Sequence, residues 1–198
     1  MIKIEKYTNP EYYGNMYLLT SQNECLVVDP CVNFSQIKSE INEKKLVGVF
    51  LTHAHFDHFC EIESFFNLDT KFYLTQEANL KIKNCDENAS NLFGKKVSID
   101  IPDEKICYIC ENEKLNLGDE QGRFIILKGH TDCSAGLIIA QDFFCGDFIF
   151  ENGHYGRYDL PTGNGEEMRN SFRKLKTLDK DLIVHSGHGN DFLLKNYK

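Results

Sequence analysis

The sequence predicts an α/β domain in which two β-sheets pack together and helices cover their outer faces. Strand-like runs flanked by helical segments occur in both halves of the chain, with successive strands between them. Residues 46–51, LVGVFL, form an unbroken apolar run suited to a strand buried on both faces. Clusters of histidine, aspartate and glycine begin where such runs stop, at strand ends where open sheets commonly place their chemistry.

In chain order, 2–7, 16–20 and 24–29 read as strands, joined by turns at Asn9-Pro10 and Gln22-Asn23. Residues 33–44 carry Phe34, Ile37 and Ile41 at helical spacing. The strand 46–51 leads into a helix over roughly 57–67, then a strand at 71–75 and a short helix at 76–83. Strands follow at 105–110, 122–128, 136–141 and 143–146. A last helix, 165–178, carries Met168, Phe172, Leu175 and Leu178 on one face, and a strand at 181–184 completes the pattern.

With 198 residues, 41% of them hydrophobic and 26% charged, the chain suits one globular domain, 1–198. A net charge of −8 argues against a duplex nucleic acid as ligand, because binding phosphates needs a basic surface. There is no signal-peptide pattern and no apolar run of membrane-spanning length, so the expectation is a cytoplasmic protein that does not engage a membrane. The eight cysteines are then expected as reduced thiols, including the lone pair Cys107 and Cys110.

The stretch THAHFDH at 52–58 is the most informative. While the chain stays extended, residues two apart point the same way, so His53 and His55 can reach one ion together. Asp57 and His58 follow at a helix start and are free to aim elsewhere. Imidazole and carboxylate are ligands for zinc, iron or manganese, and the spacing predicts a metal site. Three further strand-like runs end in a glycine-flanked His or Asp: GHTDCSAG presents His130, FFCGDFIF presents Asp147 and VHSGHG presents His188. A glycine beside each lets the backbone turn sharply and come close to a bound group.

Taken with LVVDP at 26–30 and GRYDLPTGN at 156–164, these motifs resemble the metallo-β-lactamase-fold hydrolases, and within them the glyoxalase II-like (hydroxyacylglutathione hydrolase-like) branch. The resemblance implies the metallo-β-lactamase αββα four-layer sandwich and two divalent transition-metal ions, zinc foremost, with iron or manganese as alternatives. His53, His55 and His130 would hold one ion, Asp57, His58 and His188 the second, and Asp147 would bridge both, with Asp57 and Asp147 central to catalysis. Asp29 would lie beneath the site and orient the metal loop. Arg157, with Tyr158 beside it, would meet the carboxylate of an anionic thioester substrate, the alternative being a surface arginine paired with Asp159 or another acid. His154 and His185 are left to loop and packing roles.

The implied activity is thioester hydrolysis. Two ions sharing a water lower its pKa toward neutrality, so that hydroxide attacks the acyl carbon. A thiolate leaves without a dedicated general acid, because a free thiol has a pKa of about 8–9. The alternatives are a mononuclear-iron oxidoreductase resembling persulfide dioxygenases, and a lactone or phosphoester hydrolase of the same superfamily. Asp132 and Cys133 in GHTDCS, and Cys60 and Glu61 after the histidine motif, depart from the family's small residues and are expected to narrow the pocket.

Overall fold

A computed structural model describes residues 1–198 and shows two six-stranded mixed sheets. The first contains β1 (Lys3–Thr8), β2 (Asn15–Ser21), β3 (Glu24–Val28), β4 (Lys45–Phe50), β5 (Phe72–Leu74) and β6 (Ile106–Tyr108), side by side in chain order. Its first three strands are antiparallel and β3 to β6 run parallel. The second contains β7 (Lys114–Leu117), β8 (Glu120–Ile126), β9 (Ala135–Ile139), β10 (Asp142–Gly146), β11 (Ile183–Ser186) and β12 (Phe192–Leu193). In it β10 and β11 are parallel and the other pairings antiparallel.

Three apolar clusters define four layers. Tyr17, Leu26 and Phe50 of the first sheet meet Phe124, Leu137 and Phe144 of the second, forming the core between the sheets. On the outer face of the first sheet, Val27, Val49 and Phe72 pack against α1 (Phe34–Ile41), α2 (Phe56–Phe59) and α3 (Gln76–Lys81). On the outer face of the second, Phe143, Cys145 and Val184 pack against Met168 and Leu175 of α4 (Gly165–Leu175). The expected α-β-β-α arrangement is present, and no helix is long and apolar enough to cross a membrane.

Local chemistry explains the boundaries. Asn164 caps α4 by accepting from the amides of Glu166 and Glu167, which place acidic charge at the positive end of the helix. Helix α1 stops at Ile41, earlier than the periodicity suggests, because Asn42 turns extended and Glu43 takes a positive φ of 73°. The single helix expected over 57–67 is instead α2 and a separate 3₁₀ turn, Ile62–Phe65, broken at Glu61 (φ −112°, ψ 10°). Strands β7 and β12 were not expected. KLNL in β7 alternates exposed and buried residues and is only four residues long, a weak periodic signal.

Candidate metal centre

The parallel strands deliver the site. β3 ends one residue before Asp29, β4 runs into His53 and His55, β10 ends at Gly146 before Asp147, and β11 ends two residues before His188. The loop between β8 and β9 supplies His130. Three groups of potential ligands result: His53, His55 and His130; His53, His58 and Asp147; and Asp57, His58 and His188. Within each group, one donor atom from every residue lies within 4.8 Å of the others. Asp147 sits among them, with Oδ1 3.3 Å from His58 Nε2 and Oδ2 3.6 Å from His188 Nε2 and 3.8 Å from His130 Nε2.

Four of the imidazoles are fixed from behind. The Thr52 hydroxyl donates to Asp29 Oδ2 (2.7 Å), so the 3.1 Å contact from His53 Nδ1 to that hydroxyl is donated by the ring. His58 Nδ1 donates to Asp29 Oδ2 at 2.9 Å. His130 Nδ1 donates to the carbonyl of Arg157 (2.6 Å) and His188 Nδ1 to that of Tyr13 (2.8 Å). These bonds turn Nε2 of His53, His58 and His188 toward the site, the orientation metal-binding histidines require, while His130 Nε2 lies 2.9 Å from His55 Nδ1. Asp29 also accepts from the Thr52 amide at 2.8 Å, and its own backbone takes a positive φ of 52° to reach this position.

Close approach explains two of the glycines. A Cβ on Gly187 would collide with Asp147 Oδ1 and His58 Cε1, and one on Gly156 would collide with the Asp147 carbonyl and crowd the His130 ring. Charge balance divides the cluster. Burial, with neighbouring imidazoles, pushes the pKa of His53 well down and that of His55 down to about 3; burial also lowers His130. Burial works in the same direction at His58 and His188. There it is outweighed by carboxylates, Asp147 and Asp29 for His58 and Asp147 and Asp57 for His188, so both stand above the usual imidazole value. Burial opposes ionisation of Asp147, but the surrounding imidazoles hold its pKa well below the ordinary carboxylate value.

The site passes a test of fit to a divalent ion. Nε2 of His53, His55 and His58 and Oδ1 of Asp147 are buried and have no hydrogen-bond partner. Buried polar atoms left unpaired are costly, and their convergence on one space identifies a ligand they are built to bind. Neutral imidazole nitrogen with carboxylate oxygen suits a transition metal.

The remaining candidates are placed differently. The guanidinium of Arg157 is exposed at the rim and grips Asp159 through Nε (3.0 Å) and Nη2 (2.9 Å). Tyr158 is exposed, lies parallel to Tyr155 at 6.4 Å and does not line the cleft. His154 contributes its backbone, the carbonyl accepting from Tyr197 and from the Phe150 amide, and His185 stacks on Phe144 with Nε2 2.8 Å from Asp142. The family departures do not narrow the pocket. Asp132 pairs with Lys81 (3.0 Å), Cys133 is buried, Glu61 accepts from Asn33, and Cys60 contacts the Cys31 carbonyl; none lines the cleft. Thr52 and the Tyr13 carbonyl were not anticipated, although Thr52 stands directly before the histidine motif.

The metallo-β-lactamase superfamily model matches residues 9–188. The chain belongs to this superfamily. It is 31% identical over 183 residues to the probable metallo-hydrolase YqgX of Bacillus subtilis, covering 89% of this chain and 85% of that one. It is 30% identical over 181 residues to hydroxyacylglutathione hydrolase of Wigglesworthia glossinidia brevipalpis, covering 90% of this chain and 61% of the relative. Among solved structures, the BLEG-1 B3 metallo-β-lactamase superposes with a TM-score of 0.86 at 22% identity, covering 98% of this chain and 95% of that one. A second structure, determined in a di-iron-bound form, gives 0.80 at 24% identity, covering 96% and 95%. The metallo-β-lactamase fold therefore extends over essentially the whole chain.

Proposed function

We propose that this metal-dependent hydrolase cleaves a small thioester, of the hydroxyacylglutathione type, at a binuclear centre. The observation that carries the reading is Asp147, whose carboxylate faces His58 with one oxygen and both His130 and His188 with the other. In this reading His53, His55 and His130 would hold one ion and Asp57, His58 and His188 the second, with Asp147, which groups with His53 and His58, shared between them. Zinc is the proposed metal, and the same donors accept iron or manganese. Two divalent ions held there would supply an activated water and a Lewis acid for the acyl oxygen.

The chain's own residues do the rest. Thr52, Asp29 and the carbonyls of Arg157 and Tyr13 hold four imidazoles in one tautomer, so little reorganisation is needed as charge develops on the acyl oxygen. Water adds to the acyl carbon, the C–S bond breaks, and the thiol leaves as thiolate, which needs no side chain to protonate it. Arg157 at the rim is proposed to attract an acidic thiol carrier, exchanging Asp159 for the substrate's carboxylate; an exposed pair is weak enough to exchange. Tyr158 lies beside it. The eight cysteines are free thiols, which suits a reducing compartment such as the cytoplasm.

The test is metal analysis of the purified protein with turnover of thioester, lactone, β-lactam and phosphodiester substrates. Thioester cleavage with about two ions per chain is expected. A single iron per chain, with oxygen consumed on a persulfide and no thioester cleavage, would replace this reading with an oxidoreductase.

A further inference from the structure

The cleft over the metal centre has two recesses, and one phenylalanine belongs to both. The smaller, about 290 Å³, opens over His55, His130 and Asp147 and is walled by Phe150, Tyr155 and Leu160 with Arg157 at its edge. The larger, about 590 Å³, opens over Asp57 and His188 and is walled by Tyr12, Tyr13 and Phe56 with Lys95 at its edge. Phe93 lines both. Its ring is 65% exposed and lies 5.4 Å from that of Phe56, and Tyr13 across the larger recess is 69% exposed.

The segment carrying Phe93 is built to hold it there. Phe93 ends a 3₁₀ turn, Ser90–Phe93, flanked by left-handed residues, Ala89 (φ 64°) and Gly94 (φ 68°). A left-handed alanine is strained and persists only where its surroundings impose it. Asn88 imposes it: fully buried, it donates to the Val97 carbonyl (2.8 Å), accepts from the Ser90 amide (3.0 Å), and takes the Phe56 amide on its own carbonyl (3.0 Å). That last bond ties the turn to α2, which carries Asp57 and His58.

The charge at the edge of the larger recess is already paired within the protein. Lys95 Nζ is 3.0 Å from Glu11 and 5.7 Å from the Tyr12 ring centroid. Above Asp57 and His188 on its floor, what remains facing a ligand there is aromatic surface, and paired open rings of this kind mark a site for an apolar group.

The geometry points to Phe93 as a specificity-determining residue, and to a thioester whose acyl group is apolar and of aromatic size, seated between Phe93 and Tyr13 in the larger recess while the thiol carrier runs past Arg157. This rests on the thioester reading above. The test compares acetyl and phenylacetyl thioesters of one acidic thiol, N-acetylcysteine, on the zinc-loaded protein. Wild type is expected to favour the phenylacetyl compound by roughly tenfold or more in kcat/KM, the scale of burying a ring on aromatic walls. Phe93→Ala should cut that preference about fivefold or more. Leu92→Ala, an exposed neighbour that lines neither recess, should leave it intact. Equal handling of the two acyl groups by wild type, or a preference that survives Phe93→Ala, would overturn the assignment.

A failure of the thioester reading is separated by binding alone. If neither compound is turned over, NMR titration of the zinc-loaded protein with phenylacetate and with acetate decides the matter. Roughly tenfold tighter binding of phenylacetate, weakened in Phe93→Ala and shifting the Phe93 and Tyr13 resonances, supports the recess. Equal binding of the two acids overturns it.

Discussion

Oδ2 of Asp29 lies 2.9 Å from Nδ1 of His58 and also accepts the Thr52 hydroxyl that receives the Nδ1 proton of His53. One carboxylate outside the ligand set thus fixes the tautomer of two rings. Asp29→Asn keeps the shape, and asparagine tolerates the positive φ at this position. With its oxygen kept on the Thr52 amide, its NH₂ would face the ring N–H of His58, donor against donor, and the flipped amide would set that NH₂ against the Thr52 N–H instead. Metal affinity should fall by roughly 10–100-fold with the fold intact, measured by chelator competition and circular dichroism.

Gly187→Ala tests the close packing of the centre. The added methyl would occupy the space of Asp147 Oδ1 and His58 Cε1. Displacing that carboxylate by about an ångström should cost on the order of a hundredfold in turnover. Unchanged kcat and metal content would show that the centre does not depend on this contact.

Arg157 and Asp159 make opposite predictions. Freeing the guanidinium with Asp159→Asn should lower KM for an anionic thioester severalfold, and Arg157→Ala should raise it by roughly tenfold. A neutral thioester of similar size should respond to neither change. Steady-state kinetics on the two substrates checks this, and equal responses would return the pair to a surface role.

His185 gives the stability a pH signature independent of the metal. Burial lowers its pKa, but Asp142 and Asp191 outweigh that and raise it, while His185 lowers that of Asp191 against burial. The raised imidazole contributes stability that is complete below its ordinary pKa and lost as pH rises through the folded value. The depressed carboxylate contributes stability present above its ordinary pKa and lost as pH falls through the folded value. The gain is therefore greatest between about pH 4 and 6.5. The difference in Tm between metal-free wild type and His185→Gln should be largest there and shrink above it. A difference that grows with pH would contradict the assignment.

The sequence revealed the site where it is local and concealed it where it is assembled. His53, His55, Asp57 and His58 follow one strand end, so alternation and residue type expose them directly. Asp147 and His188 were legible because their glycines, Gly146 and Gly187, mark the turns that bring them close. The Tyr13 carbonyl and Phe93 carry no motif; they reach the cleft through turns held by contacts between distant segments, such as His188 to Tyr13 and Phe56 to Asn88. The pairing of Arg157 with Asp159 was legible as the surface alternative, because the two residues stand two apart in one loop, and the structure shows that pair.

The most direct measurement of the central claim is metal content and thioester turnover of Asp147→Ala beside wild type, after both are loaded with zinc and desalted. Asp147 faces both ligand sets, so wild type should retain about two ions per chain and the variant fewer, with turnover reduced by at least a hundredfold. A variant that keeps both ions and full turnover would show that no shared carboxylate joins the two sets, and a wild type that retains only one ion would contradict the binuclear centre on which the proposed function stands.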